Sequence, residues 1–185
     1  MPDRLHFTDS DEANELIAGD AFALLVGFAL DQQVTVMKAF TGPLALKERL
    51  GTLEPAAVAA ADLEPLFRQV PAIHRFPGAM AARVHELAVF VAERYDGDAA
   101  RVWTDAKTPA ELRANIAELP GFGEMKIKSL GSVLAKRFGV ELAEPLIPWH
   151  PTLGDVDSPE ALREYQAAKK LNKARWTAAG PPATT

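Results

Sequence analysis

The sequence predicts an all-α protein. Apolar residues recur at helical spacing in several stretches, and helix-start signals precede most of them. No run of alternating apolar and polar residues is long enough for a convincing strand, and we assign none. With 48% apolar residues among 185, the chain can bury one substantial core or two small helical lobes.

The first fifty residues predict three helices. Ser10 is a suitable N-cap for a short helix over about residues 11–18, and Asp20 for the next. Residues 21–30 are nearly all apolar, which is typical of a central helix that is buried on most sides. A third helix is expected over about residues 35–50.

The middle of the chain predicts four more helices. Pro55 and Pro65 fit the first turn of two short ones. Apolar residues at helical spacing from Met80 onward indicate a longer helix that ends near Asp96-Gly97. Thr108-Pro109-Ala110-Glu111 has the pattern of a capping box with proline at the first helical position.

The C-terminal part begins with a segment rich in proline. Residues 141–157 contain three prolines and a glycine, so we expect a loop there. Either Asp157 or Ser158 then caps a last helix that runs to about Asn172. Residues 178–185 offer little to pack and are expected to form a flexible tail.

The charge distribution permits a local nucleic-acid contact. A net charge of −5 argues against a protein that coats nucleic acid non-specifically. Residues 124–137 and 169–175 are nevertheless locally basic, which suits either a DNA contact or solvated helix faces. The absence of cysteine excludes disulfides, a thiolate nucleophile, zinc fingers of the usual kind and cysteine-held iron–sulfur clusters.

The sequence predicts a cytoplasmic protein without a membrane partner. No stretch approaches the roughly 18 consecutive apolar residues of a membrane span. The start, Met1-Pro2-Asp3-Arg4, lacks the basic-then-apolar order of a secretory signal.

The pentapeptide Leu119-Pro120-Gly121-Phe122-Gly123 lies between two predicted helices. Its glycines permit positive φ and a close approach of backbone N–H groups to a phosphate, and Pro120 stiffens the turn. Lys126 and Lys128 add positive charge on the following helix. An ordinary helical hairpin closed by glycine has the same local pattern, so the pentapeptide alone leaves both interpretations open.

Together with its flanking helices, this pentapeptide resembles the hairpin of the HhH-GPD superfamily of base-excision repair proteins. Residues 22–34, an apolar helix that ends in Gln32-Gln33, resemble a second segment of that family, in the family's order. The resemblance covers most of residues 20–172. It implies a two-lobed helix-hairpin-helix DNA glycosylase fold within one domain, residues 1–177. Residues 35–140 would form the middle lobe, and the terminal segments would pair in the other.

The resemblance implies a DNA repair protein that binds duplex DNA carrying a damaged base, flips the base and hydrolyses its N-glycosidic bond. Gln33, or else Gln32, would hydrogen-bond the orphaned partner base; capping of a helix end is the alternative for the pair. Bifunctional members of the family carry a nucleophilic lysine where this chain has Met125. Lys126 lies about 100° further around the helix. We therefore expect no lyase activity, and we expect Lys126 to face phosphate or solvent.

The family's catalytic aspartate follows a loop rich in glycine and proline. In this chain Asp155 and Asp157 follow such a loop, but they lie farther from the hairpin than the family's aspartate does. At the distance expected from the family this chain has Glu144. We take Asp155 and Asp157 as candidate catalytic residues, although one also suits a turn and the other a helix cap. Trp149-His150 in the same loop are candidates for lining a base pocket.

No cofactor and no metal site built from side chains is expected. The resemblance implies that hairpin carbonyls can hold a monovalent cation. We expect a monomer. Two other functions remain open, namely a non-catalytic DNA-damage-binding protein on the same fold and a helical interaction module. The sequence does not identify the damaged base.

Overall fold

A computed structural model describes residues 2–177, and this range is all-helical, as the sequence predicts. It contains ten α-helices and two 3-10 helices. The α-helices are α1 Asp11–Gly19, α2 Ala21–Leu30, α3 Val36–Leu50, α4 Pro55–Ala60, α5 Glu64–Arg68, α6 Pro77–Arg94, α7 Arg101–Thr104, α8 Pro109–Glu118, α9 Glu124–Phe138 and α10 Pro159–Thr177. The 3-10 helices are Glu141–Leu146 and Leu153–Asp155. The expected tail, residues 178–185, lies outside the described residues.

Predicted side-chain caps are present at several helix starts. The side chains of Ser10, Asp20 and Thr108 each accept a hydrogen bond from the backbone N–H three residues further on, at 3.0 to 3.2 Å. At the start of α10 the cap is Ser158, not Asp157. Each such bond satisfies a backbone donor that has no partner within the helix, which fixes where the helix begins.

Two local predictions differ from the structure. The capping box is only half formed, because the Glu111 carboxylate accepts from the backbone N–H of Lys107 and not from that of Thr108. Residues 141–157 are not wholly a loop, since both 3-10 helices lie there. Pro145 lies inside the first of them. Proline has no backbone N–H to donate, but so short a helix needs few such donors.

Helix α2 occupies the centre of the core. Every residue from Phe22 to Leu30 is buried. Helices α1, α3 and α6 pack against α2, and one continuous cluster of buried apolar side chains surrounds it. The end of α2 is therefore held firmly, and so are the residues that follow it.

Helix α9 organises the second half of the chain. Helix α8 and both 3-10 helices pack against α9, and α10 lies on the second 3-10 helix. A side chain at Gly154 would collide with Ser132 of α9, with the nearest backbone atom, the Ser132 carbonyl oxygen, only 2.6 Å away. This close approach holds the C-terminal segment against α9.

Within residues 2–177, no single helix has the length and apolar content to cross a membrane; α1 and α2 reach them only as a pair, which is bent by 114°.

Candidate functional site

Residues 119–123 form a tight turn between α8 and α9. The backbone N–H of Phe122 donates to the carbonyl of Leu119 at 3.1 Å, and both side chains are buried, which ties the turn to the core. Pro120 is half-buried, whereas Gly121 and Gly123 are exposed. The turn therefore presents mainly backbone to its surroundings.

The two glycines of the turn have different roles. Gly121 has a φ of 80°, and a Cβ atom there would collide with the guanidinium of Arg83. At Gly123 a Cβ atom would meet nothing within 4 Å. The positive φ thus favours glycine at the first position, whereas the atom that a Cβ would meet there belongs to the flexible Arg83 side chain; the space beside the second glycine is open. Arg83, on α6, adds a cation beside the turn that the sequence analysis did not single out.

Helix α9 begins at this turn without a side-chain cap. The free N–H groups of its first turn carry partial positive charge and suit an anion. Glu124, in the same turn, is paired with Arg113 and with Lys128, whose Nζ lies 3.6 Å from Glu124 Oε1. The hydrogen bond from Arg113 lowers the pKa of Glu124, and the two cations offset its charge.

Gln32 and Gln33 form a loop directly after α2. The Gln32 side chain donates to the carbonyl of Ala29 at 3.3 Å and so caps the end of the helix. Gln33 is exposed and has a φ of 55°, which residues other than glycine rarely adopt. Within residues 2–177 its side chain has no hydrogen-bond partner. The helix-capping alternative therefore fits Gln32, and the Gln33 side chain is available to a partner.

His74 holds the glutamine loop in place. Its Nδ1 accepts a hydrogen bond from the backbone N–H of Phe76 at 3.0 Å, so the ring proton lies on Nε2. Nε2 donates to the carbonyls of Leu30 and Gln32, at 3.1 and 3.0 Å. Burial lowers the pKa of His74, which favours this neutral form. The ring thus fixes the backbone immediately before Gln33.

A pocket of about 590 Å³ opens beside the glutamine loop. Residues 31–35, the start of α9, residues 150–152 and one face of α10 form its walls. Its volume lies within the usual range for small-molecule sites. A second pocket, of about 550 Å³, is lined by no residue of the hairpin turn or the glutamine loop.

Asp31 is the one carboxylate among the described residues that line this pocket. Burial raises its pKa, and the nearby Lys169 and Lys126 offset part of that effect. Within residues 2–177 the carboxylate takes part in no ion pair. Asp31 is not among the site residues predicted from the sequence. The available signal was its position directly after a ten-residue buried apolar helix.

Lys126 lines the same pocket and is half-buried. Its Nζ donates to the backbone carbonyl of Asp31 at 3.4 Å. Burial lowers the pKa of Lys126 to about 8, although Asp31 acts in the opposite direction. Lys126 therefore does not point into open solvent, which was one of the two alternatives predicted from the sequence. Met125 also lines the pocket and is 43% exposed.

Aromatic rings form another wall of the pocket. His150 stacks on Trp176 with ring centroids 5.4 Å apart, and Tyr165 stacks on the same indole at 6.1 Å. Of the two loop residues proposed for a base pocket, His150 lines it, whereas Trp149 does not line it and packs edge-to-face against His150. Tyr165 and Trp176 are not among the site residues predicted from the sequence. Their spacing of eleven residues, about three helical turns, puts them on one face of α10.

Neither Asp155 nor Asp157 lines the pocket. The Asp155 carboxylate accepts from the backbone N–H of Thr152 at 2.9 Å and pairs with Lys136. The bond from the Thr152 backbone is half of the capping box at the start of the second 3-10 helix, in agreement with the turn-forming alternative for Asp155. Asp157 is exposed and precedes the residue that caps α10.

Within residues 2–177, no three histidine, aspartate or glutamate side chains lie close enough together to hold a metal ion. The monovalent cation at the hairpin carbonyls stays a prediction. Comparisons of the chain with family models, curated proteins and solved structures find no match. The function is therefore inferred from the geometry of the site.

Proposed function

We propose that this chain is a base-excision DNA repair protein with the helix-hairpin-helix glycosylase fold. It binds duplex DNA that carries a damaged base, takes the flipped base into the pocket and hydrolyses its N-glycosidic bond without cutting the strand. One observation carries the proposal. The hairpin and the glutamine loop are far apart in sequence, yet Lys126, three residues after the turn, contacts Asp31 just before Gln32.

The hairpin turn provides a sequence-independent anchor. Its exposed backbone, the uncapped start of α9 and the guanidinium of Arg83 together suit one or two phosphates of a DNA strand. Such contacts set the position of the duplex but do not identify a base. The anchored strand would then lie beside the glutamine loop, because Lys126 joins the start of α9 to the end of α2.

The glutamine loop and the pocket suit the two consequences of base flipping. A flipped nucleotide leaves a gap in the duplex, and the Gln33 amide has both a donor and an acceptor for the orphaned base. The flipped base itself needs a site that is out of the stack. The pocket of about 590 Å³ is lined by both aromatic rings and polar groups, as base pockets are.

Asp31 is the group in the pocket best suited to assist hydrolysis. In this reaction a water oxygen forms a bond to the sugar C1′ while the bond from C1′ to the base nitrogen breaks. Asp31 accepts the proton that the water loses, and the departing base takes up a proton from solvent. A carboxylate whose pKa is raised by burial is a stronger base than an exposed one, which favours this role.

A second candidate function is recognition of DNA damage without hydrolysis. It is favoured by the surroundings of the two loop aspartates, since Asp155 is engaged by Thr152 and Lys136 and Asp157 is exposed. If Asp31 does not replace them, the pocket holds a flipped base without cleaving it. The two candidates share the hairpin anchor and differ only in base release.

The anchor is tested by Gly123→Val. We expect the valine to weaken binding of damaged and undamaged duplexes alike by about tenfold, which corresponds to about 1.4 kcal/mol. The reason is that the added side chain separates backbone N–H groups from phosphate, while its Cβ atom has no other part of the protein within 4 Å. Dissociation constants are measured at low salt, together with thermal unfolding to confirm the fold.

Gly19→Val is the matched control, because Gly19 also has open space beside it and is far from the hairpin in sequence. It should bind duplex DNA as the wild type does. Equal affinities of the wild type and Gly123→Val would exclude the hairpin from the interface.

A further inference from the structure

Lysine side chains dominate the charged groups of the pocket. Four of them line it: Lys126, Lys128, Lys169 and Lys173. Lys128 is paired with Glu124, but the other three take part in no ion pair within residues 2–177. Against these three stands the carboxylate of Asp31. The pocket therefore carries an excess of positive charge.

Two of these lysines are held against the pocket walls. The Nζ of Lys126 contacts the Asp31 carbonyl at 3.4 Å, and the Nζ of Lys169 lies 5.8 Å from the ring centre of Tyr165. An ammonium group donates hydrogen bonds and accepts none. These lysine side chains, the lysine wall of the pocket, therefore offer hydrogen-bond donors to a bound ligand.

The carboxylate of Asp31 does not cancel the excess of positive charge in the pocket. When it is ionised, it balances only one of the three lysines. An acceptor-rich ligand without positive charge is the natural complement of such a pocket.

We propose that the pocket accepts deaminated bases, which present carbonyl oxygens and carry no positive charge, and rejects bases with a fixed positive charge. Uracil and hypoxanthine represent the first class, and 7-methylguanine represents the second. Carbonyl oxygens accept from the lysine wall, whereas a cationic ring is repelled by it. This inference rests on the proposed function, since it names the substrate class of the same site.

The inference is tested by binding to four duplexes that differ at one central base: uracil, hypoxanthine, 7-methylguanine or an undamaged base. A 2′-fluoro group on the central sugar prevents base release during the measurement. We expect the uracil and hypoxanthine duplexes to bind at least tenfold more tightly than the undamaged one, and the 7-methylguanine duplex no more tightly than it. Lys126→Met should reduce this preference several-fold.

Lys170→Met is the matched control, because Lys170 is an exposed residue of α10 that does not line the pocket. It should keep the wild-type preference. Equal losses on all four duplexes in Lys126→Met would assign this lysine to phosphate and overturn the inference.

Two further outcomes overturn the inference. One is a 7-methylguanine duplex bound as tightly as the uracil duplex, and the other is equal binding of all four duplexes. In either case the proposed function survives if Gly123→Val still weakens binding. If Gly123→Val changes the affinity for none of the duplexes, the proposed function itself fails.

Discussion

Asp31→Asn is expected to lower the release of a damaged base from duplex DNA by about 10²- to 10⁴-fold, the usual contribution of a general base. Asparagine keeps the size of the side chain but cannot take a proton from the attacking water. The substitution should leave the fold intact, because burial already disfavours the charged carboxylate. The measurement is release of free base under single-turnover conditions from duplexes with deaminated, oxidised or alkylated bases.

The two loop aspartates provide the comparison. Asp157→Asn changes an exposed residue outside the pocket and should release base at the wild-type rate. Asp155→Asn removes the ion pair with Lys136 and should affect stability more than rate. Base release lost in either of these variants, and kept in Asp31→Asn, would assign the catalytic role to the loop. Tight binding of a damaged duplex by the wild type with no release of any base would establish the second candidate function.

Lys126→Met is expected to raise the free energy of unfolding by about 1–3 kcal/mol. Burial lowers the pKa of Lys126 from 10.5 to about 8. At about 1.36 kcal/mol per pKa unit, that difference sets an upper limit near 3 kcal/mol on the cost of holding the charged amine in the folded protein. Methionine has a similar length and fits the half-buried position without a charge.

The stability gained in Lys126→Met should depend on pH. Below about pH 8 Lys126 is protonated in both the folded and the unfolded protein, so the full cost of burying its charge lowers the stability. Between about pH 8 and 10.5 the unfolded chain holds a proton that the folded protein has released, so this lysine makes stability rise with pH. The difference in unfolding free energy between Lys126→Met and the wild type should therefore shrink across that range. Denaturant titrations at pH 7, 8, 9 and 10 measure it.

Lys170→Met, at an exposed position, should change stability by less than about 0.5 kcal/mol. A Lys126→Met variant less stable than the wild type would show that the lysine is not under a burial penalty. A buried amine that costs stability is typical of a site kept for binding or catalysis. The gain in stability should therefore accompany the loss of base preference predicted for the same variant.

Local sequence rules were sufficient for most of the helices. The all-apolar segment from Ala21 to Leu30 is a buried helix, and the caps at Ser10 and Asp20 lie where expected. These features depend on neighbours within a few residues. The hairpin turn was found for the same reason, since the positive φ of Gly121 is a local requirement.

The pocket was largely beyond such rules. Asp31, Lys126, His150 and Trp176 come from four distant segments, and only tertiary packing brings them together. The direction in which the Lys126 side chain points depends on where the end of α2 lies against α9. Helical spacing alone does not give that position. The sequence could therefore suggest a base pocket and propose His150 but not the rest of its wall.

The loop aspartates illustrate a second limit. A carboxylate before a helix suits a cap, a turn or a catalytic group equally well, because all three use the same oxygen atoms. For Asp155 the structure supplies the missing partners, the Thr152 backbone and Lys136. Neither partner can be inferred from the residues that adjoin Asp155, since Lys136 is nineteen residues away.

The central claim is that a base leaves the duplex and enters this pocket, and 2-aminopurine placed next to a uracil tests it directly. Its fluorescence rises when the neighbouring base leaves the stack. We predict a rise when the wild type binds, and a much smaller one with Ser129→Phe, which fills the pocket from α9 while leaving the hairpin unchanged. Saturating binding by the wild type without any rise in fluorescence, next to uracil and next to an alkylated or oxidised base alike, would contradict the claim.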